Sequence, residues 1–154
     1  MLRWLGLSLL VIGLDQVSKQ LAESSMMVFE RVPVIPFLNM TLAYNEGAAF
    51  SFLSDQGGWQ RWLFAGLAIV VTLILVGWLG HLKSEKILAV SLSLVIGGAV
   101  GNLIDRLLYG HVIDFIDLYY QQWHWPAFNI ADSAISVGVV LMLLDAFLEK
   151  DESR

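Results

Sequence analysis

Long runs without charge alternate with short polar stretches along this chain. Trp62–Gly80 and Ile87–Ile104 contain no charged residue at all, and Ser133–Leu144, extended back through Ala127, contains only Asp132. A fourth run, Trp4–Ala22, is interrupted by Asp15 and Lys19. Each is roughly 18–20 residues, which at ~1.5 Å per residue covers the ~30 Å of a bilayer's hydrocarbon. In that solvent the backbone must bond to itself, so the pattern predicts four membrane-spanning helices, at about 4–22, 62–80, 87–106 and 127–146.

The first run has a rival reading. Met1–Leu14 with Arg3 ahead of it and Ala22-Glu23-Ser24 behind imitates a cleavable signal peptide. Asp15 and Lys19, four apart on a helix, argue instead for a retained span with an internal ion pair.

Between the first two spans, an outer loop at about 23–58 changes period. Leu38, Met40, Leu42 and Tyr44 alternate with Asn39, Thr41, Ala43 and Asn45, which predicts a strand, and Pro33 and Pro36 punctuate its approach. Leu107–Pro126 is too interrupted to cross. Its Tyr119, Tyr120, Trp123 and Trp125 suit the headgroup level, so it is expected to be an interfacial loop at about 107–126. The fold class expected is an all-α membrane protein in one domain, 1–154, with four transmembrane helices and a small extramembrane β element between spans 1 and 2.

Alternation through four spans places Asp15 and Lys19, Asn102, Asp105 and Arg106, Asn129 and Asp132, and the loop bearing Asn45, at one membrane face. Positive charges orient the chain weakly: Arg3, Lys83, Lys86, Lys150 and Arg154 lie on the face of the termini, against Lys19, Arg31, Arg61 and Arg106. We expect cytoplasmic termini and an outward-facing polar cluster.

Composition agrees with a bilayer solvent. Of 154 residues, 57% are hydrophobic and only 15% charged, with mean hydropathy +0.68, against about 25% charged in soluble domains. A net charge of −5 leaves no basic face for nucleic acid, and the absence of cysteine excludes disulfides, thiolate zinc sites and a thiol nucleophile.

The chemistry then rests on carboxylates. Asn129, Asp132, Ser133 and Ser136 form one polar stripe at the start of span four. Ser133 and Ser136 are expected to serve packing, whereas an ionisable residue such as Asp132 is costly in a span and points to a wet cavity. In span three, Ser93, Gly97 and Gly101 form a small-residue face for close helix packing, and Gly98, Asn102 and Arg106 the neighbouring row. Two carboxylates held close share one proton, so one can activate water while the other polarises a carbonyl. Asp132 is one such acid. Spacing leaves Asp105, Asp114 and Asp117 open as the second. No His-Glu-x-x-His or Gly-x-Ser-x-Gly segment occurs, and His81, His111 and His124 lack ligand spacing. Arg106 either serves the site through its planar fork or anchors the helix by pairing with Asp105.

Five blocks resemble the bacterial lipoprotein signal peptidases, the signal peptidase II family. They are Asp15-Gln16-Val17-Ser18-Lys19, Asn45-Glu46-Gly47-Ala48-Ala49-Phe50, Gly97 through Arg106, Val112-Ile113-Asp114-Phe115 and Phe128-Asn129-Ile130-Ala131-Asp132. They occur in family order from about residue 10 to 148, without departure at a functional position. The resemblance implies an aspartic endopeptidase of the cell inner membrane that cleaves prolipoproteins before a diacylglyceryl-modified cysteine, with no cofactor and no metal. It implies Asp114 and Asp132 as the catalytic pair, Asn45, Asn102, Arg106 and Asn129 as substrate-binding and site-shaping residues, and Asp15, Lys19 and Asp105 as supporting ones. It also implies inhibition by the cyclic peptide globomycin, membrane lipids as surroundings, and action as a monomer. A proton-coupled transporter, with Asp15, Asp105 and Asp132 as relays, and a non-catalytic assembly factor are the competing classes. The first would place its acids at the midplane, and the second does not explain paired acids.

Overall fold

A computed structural model describes residues 1–47 and 58–152. After a 3-10 turn at Leu2–Trp4 come α1 (Leu5–Ser25), β1 (Arg31–Ile35), β2 (Leu38–Asn45), α2 (Trp59–His81), α3 (Lys86–Leu108), β3 (Val112–Tyr120), β4 (Trp123–His124) and α4 (Ile130–Glu152). Ala48, Ala49 and Phe50 of the second sequence block lie outside the described residues.

By length and composition α2, α3 and α4 can cross a membrane. Asp15, Lys19 and Glu23 leave α1, at 21 residues, less apolar than these three. α3 is the axis of the bundle: 61% of its most apolar stretch is buried, against 17% for α2 and for α4. α1, α2 and α4 all pack on α3. Leu75 and Leu79 of α2 interlock with Ala89, Leu92, Val95 and Ile96 of α3.

The small-residue face expected on α3 meets α1. A Cβ on Gly97 would lie 2.9 Å from the Ser8 carbonyl oxygen, and one on Gly101 would lie 2.6 Å from Asp15 Oδ2. Ser8 Oγ donates to the Ser93 carbonyl at 2.7 Å. On the next row, a Cβ on Gly98 would collide with the Ala131 carbonyl oxygen of α4. Glycine at these positions sets how deeply α1 and α4 bring their polar ends against α3.

The strand expected at Leu38–Asn45 is β2, to the residue. The rest of the sheet corrects the expectation of a β element confined to one loop. Its order is β1-β2-β3-β4, antiparallel throughout, and β3 and β4 come from the segment read as an interfacial loop. Periodicity hides β3 because Val112, Ile113, Asp114 and Phe115 are all buried, so no polar face alternates with an apolar one. α4 starts at Ile130, later than the expected 127. Phe128 instead pairs with Ile116 at the sheet, its N–H donating to the Ile116 carbonyl at 3.1 Å.

Candidate active site

The polar ends of α1, α3 and α4 meet the buried start of β3. Asn129 immediately precedes α4, and its carboxamide and Asp132 cap the helix reciprocally. Asp132 N–H donates to Asn129 Oδ1 at 2.9 Å, and Asn129 N–H to Asp132 Oδ2 at 3.3 Å. This is a capping box with aspartate in the third helical position, and it fixes the Asp132 rotamer at the helix N-terminus. Asn129 Nδ2 also donates to Asp114 Oδ1 at 2.7 Å. One asparagine therefore touches both acids.

Two more amides complete the cradle. Asn45 Nδ2, at the end of β2, donates to Asp114 Oδ2 at 3.1 Å, and Asn102 Nδ2 donates to Asp132 Oδ1 at 2.8 Å. Asn102 Oδ1 in turn accepts from Lys19 Nζ at 2.9 Å and Asn129 Nδ2 at 3.2 Å. Asp114 is 3% exposed. Burial, followed by the Asp132 charge, pushes its pKa up to about 7 against the lowering effect of the Asn45 and Asn129 bonds.

Of the acids left open by spacing, Asp105 and Asp117 are engaged elsewhere. Asp105 accepts from Gln16 Nε2 at 2.8 Å and pairs with Lys19 at 2.8 Å. Asp117 sits in the sheet, bonded by Asn39 Nδ2 at 2.9 Å, with His124 Nδ1 at 2.8 Å and Arg31 Nε at 3.7 Å. Burial works against the Asp117 charge, but these partners outweigh it and hold the carboxyl below its ordinary range. His111 packs against Tyr44, ring centroids 4.2 Å apart and planes tilted by 43°, so the two histidines flanking Asp114 have separate partners. Among the described residues no three His, Asp or Glu side chains are grouped to hold a metal.

The i,i+4 pair expected in α1 forms: Lys19 Nζ lies 2.8 Å from Asp15 Oδ2, both fully buried. Arg106 does not pair with Asp105. Its Nη1 donates to the Asn102 carbonyl at 3.3 Å, and its guanidinium lies over the Phe64 ring of α2, 5.4 Å from the centroid. Ser133, expected to serve packing between helices, bonds back through its Oγ to the Asn129 carbonyl at 2.9 Å. Gln16 was assigned no role in sequence, yet it donates to Asp105, to the Gly101 carbonyl at 3.2 Å and to Asp15 at 3.3 Å. Its position beside Asp15, one step out of the apolar stripe, was the available signal.

Beside Asp132, a cavity of about 390 Å³ opens between α4 and the sheet, lined by Leu118, Trp125, Phe128, Ser133, Ser136 and Val137. Asp132 thus borders a mainly apolar space.

Comparison with known proteins agrees with this geometry. Residues 7–148 match the sequence profile of signal peptidase (SPase) II. A lipoprotein signal peptidase of Acinetobacter baylyi is 56% identical over 96% of this chain and 83% of its own length. One from Pseudomonas paraeruginosa is 57% identical over 97% and 90%. Two solved structures, both described as bacterial membrane enzymes, superpose with TM-scores of 0.84 and 0.80 at 33% and 36% identity. They cover 99% and 92% of this chain, and 92% and 90% of their own. A near-complete sequence match, joined to a fold shared with membrane enzymes, places this chain in the signal peptidase II family, the lipoprotein signal peptidases.

Proposed function

We propose that this membrane-embedded peptidase removes signal peptides from prolipoproteins, cutting before the diacylglyceryl-modified cysteine, with Asp114 and Asp132 as the pair that activates water. The observation that carries the reading is Asn129, which donates to Asp114 while capping Asp132. Asp114, whose pKa is raised to about 7, still carries a proton in a large share of molecules at neutral pH and serves as the acid of the pair. Asp132, at a helix N-terminus that favours negative charge, takes a proton from the attacking water. Protonated Asp114 gives its proton to the scissile carbonyl oxygen as water adds, forming a gem-diol. Asp132 then passes the proton it took from water to the leaving nitrogen, the C–N bond breaks, and one diol hydroxyl returns a proton to Asp114. Asn45, Asn102, Asn129 and Arg106 bind the unwound substrate backbone, whose polar groups have no water partners at this depth. Asp15, Lys19 and Asp105 support that arrangement from behind.

Four spans follow in the same reading. α1 buries Asp15 and Lys19 against α3 and exposes Leu9, Leu10, Leu14, Val17 and Leu21, the face a helix shows to lipid. The termini are then cytoplasmic and the acids lie toward the outer face of the inner membrane, where a signal peptide's cleavage site emerges. The substrate's acyl chains stay in lipid and reduce the entropic cost of positioning the bond. The enzyme acts as a single-domain monomer without cofactor, and globomycin occupies the same cradle.

Purified protein in lipid, given a diacylglyceryl-modified precursor, tests this. Cleavage before the lipidated cysteine is expected, with Asp114→Asn and Asp132→Asn each folded and inactive. Full activity in either variant removes that residue from the pair, and failure to cleave any lipidated precursor removes the function.

A further inference from the structure

Each acid of the proposed pair is preceded by a residue whose backbone N–H is held by another carboxylate. Ile113 N–H, just before Asp114, donates to Asp105 Oδ2 at 3.1 Å. Ala131 N–H, just before Asp132, donates to Asp15 Oδ1 at 2.9 Å. These two carboxylates are joined by one ammonium: Lys19 Nζ lies 2.8 Å from Asp15 Oδ2 and 2.8 Å from Asp105 Oδ2. Its third hydrogen goes to Asn102 Oδ1 at 2.9 Å, and Asn102 passes its amide to Asp132. Asp15, Lys19 and Asp105 are all fully buried.

We infer that Asp15, Lys19 and Asp105 form a spacer that sets the separation of Asp114 and Asp132, acting through the backbone one residue before each, and so are positioning residues for the reaction. This rests on the assignment of Asp114 and Asp132 as the pair. The two acids come from a strand and a helix that approach from different directions, and direct bonding between them would be repulsive when both are charged. A fixed linkage behind them removes that problem. Ammonium and carboxylate at 2.8 Å, desolvated and with every ammonium hydrogen used, form a stiff connection. Lys19 also settles the orientation of the Asn102 carboxamide. Flipped, Asn102 would turn its NH2 toward the ammonium and its oxygen toward Asp132, opposing both contacts. Gln16 Nε2 braces the same unit from the side, on Asp105 Oδ1 and Asp15 Oδ2. Much of this network's desolvation cost is offset internally, and the network ends on the two amides that precede the acids.

The spacer is tested with Asp15→Asn and Asp105→Asn, which keep size but leave one acceptor oxygen where the carboxylate uses two. Turnover of lipidated precursor per folded molecule is expected to fall by about 10²-fold, the effect of a displacement near 1 Å, with KM little changed. Because a wider pair couples less, the acid and alkaline limbs of the pH–rate profile should move toward each other. Amide exchange in detergent should quicken at Ala131 alone in Asp15→Asn, and at Ile113 alone in Asp105→Asn. Should either fold poorly, the Lys19→Met/Asp15→Asn protein, which keeps the network's net charge, carries the turnover and pH-profile readouts, with exchange expected to quicken at both Ala131 and Ile113. Parent turnover, an unchanged or uniformly displaced profile, or unchanged exchange at the named amide overturns the spacer and leaves only a bundle-stabilising ion pair. Activity retained by Asp114→Asn or Asp132→Asn would instead sink the pair itself, so the two failures are distinguishable.

Discussion

Asn129 and Asp132 cap each other across the first turn of α4, through bonds of 2.9 and 3.3 Å, while the Asn129 carboxamide nitrogen reaches Asp114 at 2.7 Å. The cap and the bridge to Asp114 use different atoms of one side chain, so they can be separated. Asn129→Ser retains a good cap and removes the amide donor. Thermal stability within about 1 kcal/mol of the parent and a turnover loss of at least about tenfold are expected. Parent-level cleavage by Asn129→Ser would reduce Asn129 to a helix cap.

The raised pKa of Asp114 makes stability depend on pH in a definite direction. Its value is 3.8 when unperturbed and about 7 in the fold. Between these the folded protein binds the proton more tightly, so this group's contribution is full below pH ~4 and is lost as pH rises through ~7. Asp114→Asn removes the dependence. Its stability relative to the parent should rise from pH 4 to 7, by ~4 kcal/mol at most, followed by thermal unfolding in detergent. A difference independent of pH would show that Asp114 titrates normally.

Arg106 holds the Asn102 carbonyl and lies over Phe64, with Asp105 occupied by Lys19 and Gln16. Arg106→Lys keeps the charge but loses the planar fork. A fall in kcat/KM of about tenfold or more, with unchanged expression and thermal stability, is expected if it holds substrate. Cleavage at the parent rate would return Arg106 to an anchoring role.

Glycines on α3 should separate sharply from glycines elsewhere. A methyl at Gly98 collides with the Ala131 carbonyl, next to Asp132, whereas one at Gly77 meets nothing within 4 Å. Gly98→Ala is expected to cost about 1–3 kcal/mol and most of the activity, and Gly77→Ala to be neutral or slightly stabilising. Equal melting temperatures for the two variants would contradict the close approach of α3 and α4.

Orientation is accessible because the chain has no cysteine of its own. Cysteines placed singly at positions 45 and 83 should be labelled in intact cells by an impermeant reagent at 45 and spared at 83. The reverse pattern would invert the proposed topology.

Hydropathy alone located the apolar helices, because a bilayer demands runs of one length and punishes charge within them. Period-2 alternation located β2, whose Asn39 and Thr41 face inward while Tyr44 stays exposed. Five ordered motifs carried the family. Local pattern could not show that Leu107–Pro126 contributes β3 to the same sheet, since a strand covered on both faces has no alternation to read. Nor could it choose among Asp105, Asp114 and Asp117 from spacing, because one closes α3 and two follow in β3, all within about a dozen residues, and they differ in what the tertiary structure brings to them. Lys19 and Gln16 from α1 claim Asp105, Asn39 and His124 claim Asp117, and Asn45 and Asn129 hold Asp114, with Asn129 also bonded to Asp132. The link from Asp15 to Ala131 spans 116 positions of sequence, and periodicity carries no information over that range. It exists because glycine at 97, 98 and 101 lets three helices approach closely enough for their buried polar ends to satisfy one another.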